Sequence, residues 1–149
     1  ERLAAGGPDA DEKQREKHRL QQMVRDFAKE AVTGIPLTVV HPETTRKSSF
    51  LFQMGRSLTE FSLKPKDTAD PESSVQNVNV MDIARIYKGP DVAAEVPSLG
   101  ESIGTQCVGL DTNRADRRLF FYFDETIERD RFYTCLKILR MSVEIQQVK

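Results

Sequence analysis

Residues 77–89 read NVNVMDIARIYKG, and beyond them lie CVGLD at 107–111, LFFYF at 119–123 and a long amphipathic stretch from 124 onward. Apolar residues over 75–80 and 83–87 follow the period of extended chain, with a break at Met81-Asp82 and a stop at Gly89-Pro90. Short β-rich runs bounded by turn residues predict strands. The final stretch places Phe132, Cys135, Leu136, Leu139 and Val143 at helical spacing, so it predicts a helix with one apolar face. Its start is expected at Asp124 or Thr126, with Glu125 and Glu128 suited to the positive helix end. Strand, bend, strand, two further strands and a closing helix make the back half of a bent antiparallel sheet capped by that helix.

Working outward, the front half supplies three more strands at 37–40 (LTVV), 49–54 (SFLFQM) and 58–63 (LTEFSL). His41-Pro42 and Gly55-Arg56 mark the turns between them. A polar loop over 64–74 ends this half, 90–104 is a long connection with one helical turn, and 111–118 is a turn of Asp, Asn and Arg. Residues 1–10 (ERLAAGGPDA) read as a flexible tail. A helix follows over 11–33, stopped at Thr33-Gly34, and 34–149 forms the sheet domain. In that helix Leu20, Met23, Val24, Phe27 and Ala31 form one narrow apolar stripe, whereas 11–19 contain no apolar residue and predict a solvated, fraying start. The stripe either packs on its own domain or presents Leu20, Met23 and Phe27 to a partner.

Composition limits the function classes. With 149 residues the chain suits one domain plus an extension, and no apolar run approaches the roughly 20 residues of a membrane span. Its 22 basic and 23 acidic residues give a net charge of −1, which argues against a nucleic-acid module. The balance is uneven: 34–66 hold five basic and two acidic residues, and 67–149 hold ten and fourteen, so an anion-binding face belongs in the first part. Cys107 and Cys135 fall on apolar faces and read as buried thiols in a reducing setting. The histidines, His18 on the polar helix start and His41 before Pro42, converge with no nucleophile or metal-ligand set. Neither catalysis nor a cofactor is expected.

The stretch DIARIYKG (82–89), the long loop, CVGLD, RRLFFYF and FYTCLKIL (132–139) together resemble the pleckstrin-homology domains of phospholipase C enzymes. There the closing helix carries Trp followed by a Gly-Leu pair; here Phe132 stands for the Trp, Cys135 for the Gly, and Leu136 is kept. The resemblance covers about 34–145. It implies a mainly β fold with helices: a seven-stranded bent antiparallel barrel capped by a C-terminal α-helix, here with an added N-terminal helix. Among such proteins the chain is most similar to the apicomplexan inner-membrane-complex sub-compartment (ISP) family, with the apicomplexan acylated pleckstrin-homology protein a close competitor. The implied setting is the cytoplasmic face of a membrane, the inner membrane complex, with other membrane-skeleton proteins as partners. The chain begins at Glu1 rather than Met, and an acylated segment ahead of it is part of what the resemblance implies.

Phosphoinositide-binding members offer a Lys on the first strand and a basic pair on the second, which converge on phosphates. Here Thr38 and Val39 occupy the first strand, and Arg46 and Lys47 are followed by Ser48 and Ser49, so half of that clamp is missing. Arg46, Lys47, Arg56 and Lys64 remain candidates for contact with an anionic phospholipid. Arg117 and Arg118, in a cluster with Arg114 and Asp116, are candidates for a protein contact. Two readings stay open: a scaffold that gathers proteins at a membrane, and a phosphatidic-acid sensor.

Overall fold

The computed structural model describes residues 8–66, 75–113 and 118–148. Helix α1 (Pro8–Thr33) leads into strand β1 (Ile35–Val40). Strands β2 (Lys47–Met54), β3 (Glu60–Pro65) and β4 (Gln76–Asn79) follow, and a 3-10 turn (Val80–Asp82) leads to β5 (Ile83–Lys88). Two short helices, α2 (Pro90–Glu95) and α3 (Glu101–Gly104), flank a second 3-10 turn (Pro97–Leu99). Strands β6 (Cys107–Thr112) and β7 (Arg118–Tyr122) precede helix α4 (Thr126–Val148).

The seven strands form one antiparallel sheet in the order β4-β3-β2-β1-β7-β6-β5. β1 is the hinge: it pairs with β2 along its whole length but meets β7 only through Thr38↔Tyr122 and Val39↔Phe121. The expected barrel is not closed, because its edge strands β4 and β5 are joined by the 3-10 turn and not by a ladder. Helix α4 plugs the concave side. Phe132 lies at its centre, with ring centroids 5.8, 5.4, 5.2 and 5.4 Å from Phe27, Phe52, Phe121 and Phe123. Close-packed aromatic contacts of this kind carry much of a small core's stability. A second apolar cluster, Val40, Tyr87, Val92, Val96, Leu99, Cys107 and Phe120, sits on the sheet's other face beneath α2 and α3.

Several expected boundaries shift for local reasons. Helix α1 opens at Pro8, inside the expected tail, where a ring-fixed φ and a missing N–H suit a first turn. Its polar start is helical and exposed, as the solvated reading expects. The helix ends at Gly34, which has φ +123 and donates to the Glu30 carbonyl, a backbone conformation that strongly favours glycine. Leu58, expected to begin a strand, sits at φ +62 in the turn after β2, so β3 starts at Glu60; from that turn its side chain still packs on the core. The one helical turn expected within 90–104 is instead α2, a 3-10 turn and α3. Lys47, read as loop, is the first residue of β2.

Candidate functional site

The alternation of β1, β2 and β7 decides where the candidate cations point. Phe50, Phe52 and Met54 of β2, with Leu37 and Phe121, face α4, so the odd-numbered positions of β2 face away from it. Lys47 therefore lies on the other face, its ammonium 3.8 Å from the centre of the Tyr122 ring. Lys64 shares that outer face on β3, where it donates to the Gln53 side-chain oxygen at 3.4 Å. Arg46 stands exposed in the loop before β2. Arg56 lies in the turn between β2 and β3, at the far end of the strand from Arg46. Arg46 and Lys47 are thus neighbours in sequence with different surroundings, and Arg56 joins neither.

A cavity of about 630 Å³ opens at the Arg46 end, lined by Val39, His41, Arg46, Phe50, Arg118 and Leu119 among others. His41 serves the turn there: its Nδ1 accepts from the backbone N–H groups of Glu43 and Thr44 at 3.2 and 3.4 Å. Arg118 is engaged within the fold. Its Nε donates to Asp111 Oδ1 at 3.1 Å, its Nη2 donates to the Tyr87 hydroxyl at 3.1 Å, and Glu95 lies 3.5 Å away. Tyr87 in turn donates to Asp111 at 2.7 Å, and Arg85 bridges Asp111 and Glu95 at 3.0 and 3.1 Å. Burial works to raise the Asp111 pKa, but hydrogen bonds from Tyr87, Arg118 and Arg85 outweigh it and hold the carboxyl below its ordinary range. Among the described residues, the cavity's uncommitted cation is Arg46. Arg114, Asp116 and Arg117 lie outside the described residues.

A second cavity, about 590 Å³, lies where β1 and β7 diverge and α4 begins. Phe27, Ile35, Leu37, Phe123 and Phe132 give it an apolar floor. Asp124, Glu125 and Glu128 stand exposed on its rim and pair with no cation among the described residues. Arg131, which also borders it, is taken by Glu30 at 2.9 Å. The sequence marked Glu125 and Glu128 only as helix-end residues; their joining with β1 and α1 required the fold.

The proposed partner stripe on α1 divides in two. Phe27 is 1% exposed and Met23 packs on the core, so Phe27 is a core residue and unavailable to a partner. Leu20 remains 37% exposed. Chemistry at sulfur has little support: burial pushes the Cys107 thiol up to about 12 and the Cys135 thiol up to about 11, so both stay protonated at neutral pH. Among the described residues no three or more His, Cys, Asp or Glu gather as a metal site.

This architecture recurs in solved structures. Inner membrane complex sub-compartment protein 1 of Toxoplasma gondii superposes with a TM-score of 0.60 at 15% identity, covering 80% of this chain and 92% of that one. Sub-compartment protein 3 of the same organism gives 0.57 at 14% identity, covering 81% and 85%. The PH domain from PfAPH gives 0.54 at 10% identity, covering 79% and 88%. The fold is pleckstrin-homology-like. At these identities the likeness shows the pleckstrin-homology-like architecture and nothing finer. No protein-family model and no curated protein matches the chain.

Proposed function

We propose that this chain is a non-catalytic pleckstrin-homology-like scaffold that gathers proteins at a membrane sub-compartment rather than reading a lipid headgroup. The observation that carries the reading is the commitment of the cations around the Arg46 cavity. Lys47 stacks on Tyr122, Arg118 is bound by Asp111 and Glu95, and Arg56 sits at the other end of β2. Headgroup recognition needs several donors converging on one phosphate, and a lone arginine supplies too few. Likeness to the sub-compartment proteins supports an inner membrane complex as the location. Acyl attachment belongs to the proposal, since weak electrostatic contact alone holds a protein poorly to a bilayer.

The test is co-sedimentation of the whole chain with phosphatidylcholine vesicles, plain or containing phosphatidic acid or a phosphoinositide. Pelleting should differ little among the three. Saturable binding selective for one headgroup, lost in Arg46→Ala, would replace the scaffold with the lipid-sensor reading.

A further inference from the structure

We infer that the groove between β1, β7 and α4 is filled by the projecting half of α1 from a second copy of this chain, the two copies exchanging helices reciprocally. Helix α1 has 26 residues, but only its later half docks at home, through Met23, Val24, Phe27 and Ala31. Residues 10–22 are exposed. Positions 13, 17, 20, 24, 27 and 31, spaced alternately by four and three, lie on one line of the helix. In the later half that line is Val24, Phe27 and Ala31, the docking face itself. In the projecting half it continues as Lys13, Lys17 and Leu20, exposed and without an ion pair among the described residues. An unsupported helical stretch of about 12–15 residues is marginal in water, so this half lacks a surface to lie on.

The groove is complementary to that line. Its floor is apolar, as Leu20 requires, and its rim carries Asp124, Glu125 and Glu128 without cation partners among the described residues. Its position also fits. The Cys135 thiol lies against the Met23 carbonyl and Arg131 against Glu30, so α1 and α4 run antiparallel and the groove sits beside the C-terminal half of α1. Two α1 helices paired antiparallel about Met23 set position 13 level with 33 and position 17 level with 29. Each projecting half, with Lys13 and Lys17 on the line that faces the partner, then reaches the partner's groove end. The exchange is isologous and closes on itself, as two-fold dimers do. It does not depend on the membrane reading above.

Sedimentation velocity of the whole chain at low salt should give a species of twice 16.9 kDa, shifting toward monomer as salt screens the contact. Lys13→Glu with Lys17→Glu should weaken the dimer about tenfold or more, as should Asp124→Lys with Glu128→Lys. Combining the two swaps should restore it. The α1 swap lies in an exposed segment, and circular dichroism melting confirms that each variant is folded. A monomer at all concentrations up to about 100 μM, where contacts worth having between small proteins are populated, would overturn the proposal. So would a dimer indifferent to the α1 swap, a combined swap that restores nothing, or a mass growing beyond two copies.

Discussion

At the cavity beside Arg46 the neighbouring cations meet partners inside the fold, whereas at the groove beside Phe132 three carboxylates meet none among the described residues. Both openings have similar volume and partly apolar linings. Their chemistry differs because one set of charges already serves stability. Asp111 gathers Tyr87, Arg85 and Arg118 across β5, β6 and β7, which ties the edge of the sheet together but removes Arg118 from any anion. Position near an opening is therefore a poor guide to availability; the partner of each charge decides it.

The contrast can be broken first at its shared foundation. Phe132 floors the groove and contacts four other rings, so Phe132→Ala should cost about 3–5 kcal/mol in urea unfolding and collapse the groove's shape while leaving the Arg46 loop sequence intact. A loss below about 1 kcal/mol would mean that α4 is not seated as described. A smaller effect concerns the Asp111 network. Asp111→Asn should cost about 1–3 kcal/mol at pH 7, since it weakens the acceptor shared by Tyr87 and two arginines. The folded pKa of Asp111 is depressed, so its contribution is present above the ordinary carboxylate range near 4 and fades as pH falls through the folded value. The gap between wild type and Asp111→Asn should therefore narrow below about pH 4, and a pH-independent gap would contradict the assignment. Smallest is the Lys47–Tyr122 pair: a double-mutant cycle of Lys47→Met and Tyr122→Leu should return about 0.5–1 kcal/mol of coupling. Zero coupling would return Lys47 to the pool of free cations.

Much of the scaffold was legible along the chain. The runs at 37–40, 83–87, 107–111 and 119–122 became strands because their β-branched and aromatic residues suit a half-buried pleat, and Phe123, expected in the last of them, lies just past its end. Phe132, Cys135, Leu136, Leu139 and Val143 became the buried face of α4, since helical spacing brings them to one side. Leu58 misled because an apolar residue can reach the core from a turn as well as from a strand. The candidate sites were less legible. Lys47 and Tyr122 are 75 positions apart, and Arg118 and Glu95 are separated by 23, so no local pattern announces either contact. The acidic groove was likewise invisible, because Phe27, Ile35 and Glu128 come from three separate elements.

The amino-acid sequence by itself determined which segments extend, which coil and which side chains are driven from water, because propensity and periodicity act over a few neighbouring residues. Tertiary structure alone decided which charges are spent and which are available. That choice depends on strand register and on the face each side chain occupies, and these exist only once β1 joins β2 to β7 and α4 is packed beneath them.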